Sequence, residues 1–159
     1  MNSNDERSLE QVYRSAVSGL YARIRNNYDF IYRKFGDDGL KLICEMSREY
    51  GLTVAARARF RLKNNDLASV AGYLMRIFNT VGRGKEEMVE PFEVSDSRVV
   101  IRILECPLHF ELPAMCLAHT TMEKTVVEEL NPTLTYRIGK SIPAGEGCCE
   151  HIIEFKKPA

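Results

Sequence analysis

The chain has 159 residues, of which 45% are hydrophobic and 28% are charged, as in an ordinary globular domain. Its 22 basic residues balance 22 acidic ones, so no net field favours nucleic acid or an anionic membrane as a partner. No apolar run approaches the roughly 18 residues that a bilayer span needs, and the polar start MNSNDERSLEQ does not resemble a secretory signal. We therefore expect a cytoplasmic protein whose partners are neither nucleic acid nor membrane.

The first part of the chain, residues 1–84, has the apolar spacing of helices. From Ser8 to Lys34, apolar residues recur every three or four positions, with Ser8 itself as a candidate N-cap and Gly36 as a candidate stop. A second helix is expected to follow, and Gly51 is the position at which it would bend or be interrupted. A third helix would begin at Asp66 and end before the glycines of VGRG.

The second part, residues 85–159, changes to strand alternation. MVEPFEV and RVVIRILE are typical of one hairpin, TLTYRIG and CCEHIIEF of a second, and Pro91 indicates an edge strand. Between the hairpins, Pro113 would open a helix that runs from about Leu112 to Leu130. The sequence therefore predicts a single α+β domain, in which N-terminal helices pack on an antiparallel sheet of ββαββ order.

Most of the reactive side chains lie in this second part. Four of the five cysteines and all three histidines fall within residues 106–151, and only Cys44 stands apart. Cysteines in a reducing compartment rarely form disulfides, so free thiols, a metal site and catalysis all remain open. Helical spacing places Cys116, His119 and Glu123 along one face of the helix that joins the hairpins.

The last predicted strand, CCEHIIEF, contributes two more candidates. Alternation places Cys149, His151 and Phe155 on the face that should meet the core, and Cys148 on the opposite face. His151 could then be a functional group. It could equally be a core histidine that is hydrogen-bonded by the backbone or by Tyr136.

Three thiols from separate elements are thereby brought toward a common region. Cys106 ends the second predicted strand, Cys116 lies on the helix and Cys149 opens the last strand. Such a set suits zinc or another transition metal, with a fourth ligand from imidazole, carboxylate or water, and His151 is our imidazole candidate. The competing interpretation is that these cysteines only fill core space as small hydrophobic residues.

The order of these motifs resembles a known family. ECPLHFELPAMC (105–116), LNPTL (130–134) and GEGCCEHIIEF (145–155) together resemble the L-2-amino-thiazoline-4-carboxylic acid hydrolase-like family. That family is similar in turn to the 4-vinyl-reductase-type small-molecule-binding domains. The resemblance implies a compact α+β domain, often a homodimer, with a ligand pocket between its helices and its sheet.

The resemblance also implies a metal. Related ligand-sensing domains hold zinc with cysteines and an acidic residue, which carries over to Cys106, Cys116 and Cys149. This chain departs from the family pattern in its doublet Cys148-Cys149, and Glu150-His151 stands where an aromatic residue is usual.

Three functions follow as hypotheses. The first is a small hydrolase that opens a cyclic C–N/C–S substrate of thiazoline type. Water activated by a metal, or a Cys116 thiolate, would attack the ring, with His119 or His151 as base and Glu123 as the orienting group. The alternative is a non-catalytic domain that senses or binds a metal or small molecule, with a structural Cys-rich metal site. The third is a protein whose thiols are purely structural.

Overall fold

The structure is a computed structural model that describes residues 7–81 and 89–157. Its helices and strands are, in chain order, α1 (Leu9–Arg59), α2 (Leu67–Val81), β1 (Val89–Val94), β2 (Arg98–Ile103), α3 (Pro113–His119), α4 (Thr121–Leu130), β3 (Leu134–Ile138) and β4 (Cys149–Phe155). The predicted α+β class with an antiparallel sheet is confirmed. The predicted boundary at 84/85 and the glycines that would end the third helix lie outside the described residues.

Helix α1 consists of two arms that are joined at Gly36. Ser8 caps the first arm: its Oγ accepts a hydrogen bond of 3.2 Å from the Gln11 amide, and the Gln11 side chain accepts one of 2.8 Å from the Ser8 amide. Gly36 adopts φ 56° and ψ −132°, outside the helical region. Side chains of both arms, among them Ile31 and Ile43, share one hydrophobic cluster. The predicted helix stop at Gly36 is therefore confirmed.

The prediction of a bend at Gly51 is wrong. Gly51 is buried within the uninterrupted second arm, where that arm packs against α4. A Cβ atom at this position would lie 2.8 Å from Thr125 Cβ and 2.9 Å from the Met122 carbonyl oxygen. The glycine is therefore needed for close approach between two helices, and it does not interrupt the helix.

The four strands form one sheet in the order β1-β2-β4-β3. Pro91 lies in the edge strand β1 beside a bulge, as predicted for a residue without an amide proton. The predicted ββαββ order needs correction, because two helices stand between the hairpins. The helix is divided at Thr120, where the hydroxyls of Thr120 and Thr121 each lie 3.3 Å from the Leu117 carbonyl oxygen. Such side-chain bonds compete with regular helix geometry.

The inner face of the sheet packs on α2 and α4, and it carries Cys149 and His151, both buried as predicted. Phe155, predicted for the core, is 45% exposed because it is the last residue of its strand. On the outer face, Val100 and Ile152 are paired and buried. They are flanked by Arg–Glu ion pairs, whose aliphatic stems cover apolar surface.

Within the residues that the structure describes, no helix is both long enough and apolar enough to cross a bilayer.

Replacing Gly51 tests the contact between α1 and α4. Gly51→Ala should lower the free energy of unfolding by roughly 1–3 kcal/mol, because the added methyl group has no room against Thr125 and Met122. The matched control is Gly19→Ala in the first arm, where nothing lies within 4 Å and alanine should stabilise the helix by about 0.5–1 kcal/mol. Urea unfolding of the three proteins measures both effects. Equal stability of the two variants would contradict the packing described here.

Candidate functional site

A cavity of about 70 Å³ lies where two hydrophobic clusters meet. One cluster joins α2, α4 and the sheet, and the other joins the α1 arms, α3 and the segment that leads into α3. We call this space the thiol cavity; its lining includes a second carboxylate, Glu105, and the six candidate residues Cys106, Cys116, His119, Glu123, Cys149 and His151. One water needs roughly 10–15 Å³ of such space, so the cavity has room for several.

Different elements supply these side chains. Helix α3 contributes Cys116 and His119, and α4 contributes Glu123. Strand β4 contributes Cys149 and His151, and the segment after β2 contributes Cys106. Despite the break at Thr120, residues of both α3 and α4 line the same space. All six side chains singled out from the sequence thus border one cavity, whereas Cys44 and Cys148 do not line it.

The thiols of Cys116 and Cys149 are held in their protonated form. Burial is the main cause that raises the pKa of Cys116 to about 12, and the nearby Cys149, Cys106 and Glu123 contribute to the same shift because each can carry negative charge. Burial also raises the pKa of Cys149, against the opposing effect of the Ile142 amide, which donates a hydrogen bond of 3.3 Å to its Sγ. Cys116 as it stands is therefore not the thiolate that nucleophilic attack requires.

The two histidines of the cavity, His119 and His151, are neutral at pH 7. Burial lowers the pKa of His119 to about 4, and burial together with the neighbouring His119 lowers that of His151 to about 3. Each Nδ1 atom has a tyrosine hydroxyl as partner: Tyr28 Oη lies 3.4 Å from His119, and Tyr136 Oη lies 2.6 Å from His151. The sequence predicts that a core His151 would be hydrogen-bonded by the backbone or by Tyr136, and the contact with Tyr136 is confirmed.

Glu123 is the group whose charge changes near neutral pH. It is only 5% exposed, and its Oε2 atom has no hydrogen-bond partner among the described residues. Burial raises the pKa of its carboxyl group to about 7, with its own backbone amide opposing the shift. A carboxyl group in this state can both accept and return a proton at neutral pH, which is a larger role than the orienting one expected from the sequence.

The donor atoms of the cavity suit a zinc-class ion in type, because they combine thiols with imidazole and carboxylate. Their present arrangement is more open than a formed site. Within residues 7–81 and 89–157, no three His, Cys, Asp or Glu side chains are grouped closely enough to hold an ion. The zinc site remains a prediction.

Sequence reasoning predicted Phe110 as a pocket-lining residue, which the structure confirms, but it missed Tyr28 and Phe78, the aromatic partners of the two histidines. Tyr28 and Phe110 stack with ring centroids 6.0 Å apart beside His119, and the Phe78 ring lies 4.5 Å from the His151 ring. Tyr28 comes from the first arm of α1, where its spacing indicates only an apolar helix face. No local pattern in the sequence signals its contact with a histidine 91 positions later.

Comparison with protein-family models gave no match, and comparison with curated proteins gave none either. The resemblance to the thiazoline-carboxylate hydrolase-like family therefore stays a prediction that depends on the motifs quoted above.

The raised pKa of Glu123 predicts a pH-dependent stability difference between wild type and Glu123→Gln. The carboxyl group stays protonated in the folded state up to about pH 7 but ionises near pH 4.5 when unfolded, so wild type loses stability as pH rises between these values. Glutamine does not titrate. The free energy of unfolding of the variant relative to wild type should thus increase by roughly 3 kcal/mol across this window.

Chemical denaturation at a series of pH values measures this difference. The lowered pKa values of His119 and His151 have the opposite effect, since stability rises with pH between about 4 and 6.5, but this contribution is common to both proteins and cancels. Glu111→Gln, at an exposed glutamate, is measured in parallel as the matched substitution. A flat difference for Glu123→Gln would show that the carboxyl group of Glu123 is not held in its neutral form.

Proposed function

We propose that this protein is a small hydrolase that opens a cyclic C–N/C–S substrate of thiazoline type in the thiol cavity. One observation carries the proposal: Glu123, buried and with a pKa of about 7, borders a cavity that has room for water. A general base is most effective when its pKa lies near the working pH. The family resemblance supplies the substrate class.

In this proposal Glu123 acts on water. It accepts one proton as the water oxygen bonds to the amidine carbon, and it returns that proton to the ring nitrogen, so that the C=N bond becomes a single bond. It then transfers the proton of the new hydroxyl group to the same nitrogen, as the C–N bond breaks and the carbonyl group forms. His119 is neutral, and when Tyr28 donates to its Nδ1 the proton of the imidazole is on Nε2. That N–H group would donate a hydrogen bond to the substrate. The protonated thiol of Cys116 takes no part as a nucleophile.

A metal ion would fit this chemistry. Cys106, Cys116 and Cys149 are the proposed ligands of a zinc-class ion in the hydrolase, with the fourth position left for water. His151 would fill that position in a closed, non-catalytic site. The mutual repulsion that raises the pKa of Cys116 would become attraction toward a divalent cation, so binding would release protons from the thiols. Such an ion lowers the pKa of a coordinated water to roughly 7.

The second candidate is a non-catalytic domain that binds a metal or a small molecule. Two observations favour it: the Nδ1 atom of each imidazole already has a tyrosine hydroxyl as partner, and the Cys116 thiol is protonated and so is not a nucleophile. A closed set of four protein ligands would then leave no position for substrate.

We also propose a cytoplasmic location and a homodimer. All five cysteines are free, which suits a reducing compartment. The exposed apolar side chains at both ends of α1, Leu9 at 85% and Phe60 at 93%, support a partner on this helix.

Turnover of 2-amino-thiazoline-4-carboxylate tests the hydrolase. The wild type should open the ring, with kcat rising as pH passes about 7 and the Glu123 carboxyl group ionises. Glu123→Gln should lower kcat by roughly 10²- to 10⁴-fold, the usual contribution of a general base. Glu111→Gln should retain full activity. Absence of turnover in the wild type, or its survival in Glu123→Gln, would remove this function.

Elemental analysis tests the metal. Protein purified without a histidine tag should contain a zinc-class ion, and Cys116→Ser and Cys149→Ser should each lose it because both thiols share one site. Cys44→Ser and Cys148→Ser are the controls and should retain it, since neither residue lines the cavity. A metal-free wild type, or loss in only one of the first two variants, would argue against a shared centre.

A further inference from the structure

A second, larger cavity of about 390 Å³ adjoins the thiol cavity. It runs between the two arms of α1 and helix α2, and it shares Phe78, Leu108, His119 and Glu123 with the thiol cavity. We call it the arginine groove and define it by Leu20, Ile24, Val54, Arg57, Arg61 and Ile77.

The groove has an inner and an outer end. Its inner end is at His119, which contacts Tyr28 of the first arm. Leu20, which also lines the groove, lies eight residues before Tyr28 on that arm, so the groove extends about 12 Å along the helix from this end. Arg61 and Thr80 both line a neighbouring surface pocket, and the Thr80 carbonyl oxygen accepts a 2.8 Å hydrogen bond from Tyr13, near the start of the first arm. The arginines therefore stand at the outer end.

The walls between these ends are apolar. Leu20 and Ile24 come from the first arm, Val54 from the second arm and Ile77 from α2. Leu20 is 58% exposed although it faces a cavity of this size. Covering such a surface with an apolar group lowers the free energy, because apolar area is removed from water.

Arg57 and Arg61 have no carboxylate partner among the described residues, whereas Arg59 between them forms an ion pair of 2.8 Å with Glu129. Within the part of the chain that the structure describes, the one acidic side chain that lines the groove is Glu123, at the opposite end. Two guanidinium groups without a counter-ion at the mouth of an apolar groove are complementary to an anion with an apolar body.

We propose that the arginine groove binds a small organic anion, with its carboxylate on Arg57 and Arg61 and its apolar body between the arms of α1 and α2. The body would extend inward until its far end reaches His119 and Glu123. That this far end is the part to be hydrolysed rests on the function proposed above, but binding in the groove does not.

Calorimetry with three simple probes tests the binding. Octanoate should bind, octanol should bind about 10- to 100-fold more weakly because it lacks the charge for the two guanidinium groups, and acetate should not bind because it lacks the apolar body. Equal affinity for octanoate and octanol, or no heat with octanoate, would overturn the proposal.

Variants then locate the site. The double variant Arg57→Gln/Arg61→Gln should reduce the affinity for octanoate to that for octanol and leave octanol unchanged. Arg33→Gln removes an exposed charge from the same helix, away from the groove, and should change neither affinity. Thermal melting confirms that each variant is folded. Unchanged octanoate binding in the double variant would mean that the anion binds elsewhere.

Two further outcomes are distinguishable. Sedimentation that shows a dimer, dissociated by the double variant and unable to bind octanoate, would make the groove an interface between two copies and would overturn the proposal. Octanoate has no bond for this protein to hydrolyse. Octanoate binding without thiazoline turnover would therefore reject only the hydrolase, and turnover without octanoate binding would reject only the anion site.

Discussion

The central constraint on this molecule is that ionisable side chains are buried where its two hydrophobic clusters meet. Charge at such a place is costly unless a partner compensates it, so each group there stays neutral or finds a hydrogen bond. The thiol of Cys116 remains protonated, the two imidazoles remain uncharged against tyrosine hydroxyls, and Glu123 keeps its proton up to about pH 7. The chemistry proposed for the cavity follows from these protonation states.

The fold creates this place by bringing helices into close contact with one another. Gly51 lets the second arm of α1 approach α4, which carries Glu123. Gly36 lets the first arm pack beside the second, so that Tyr28 reaches His119. The same pairing of arms leaves the arginine groove open toward the thiol cavity. The thiol cavity and the arginine groove thus meet at four shared residues, of which His119 and Glu123 are the polar ones.

Features governed by local periodicity could be predicted from the sequence. Ser8 as a cap, Gly36 as a stop and Pro91 at an edge follow from backbone geometry alone. The inward direction of Cys149 and His151 follows from strand alternation, and this alternation places them beside the thiol of α3.

Features that depend on contacts distant in the chain could not. Gly51 is needed only because α4 packs against it. The division at Thr120 depends on a side-chain hydroxyl that hydrogen-bonds a backbone carbonyl oxygen and so competes with regular helix geometry. The arginine groove required knowing that the α1 arms lie side by side, and that Arg59 has an ion-pair partner while Arg57 has none among the described residues. The raised pKa of Glu123 required knowing its burial.

The most direct test is therefore a site-resolved titration of that carboxyl group. Carbon-13 NMR of protein labelled at the glutamate carboxyl carbons, with the Glu123 signal assigned by its loss in Glu123→Gln, reads the protonation state without reference to activity or folding. A midpoint near pH 7 is the result that this structure predicts. A midpoint near 4.5, the ordinary value for glutamate, would mean that the carboxyl group is solvated or ion-paired, and the neutral buried cavity described above would not exist.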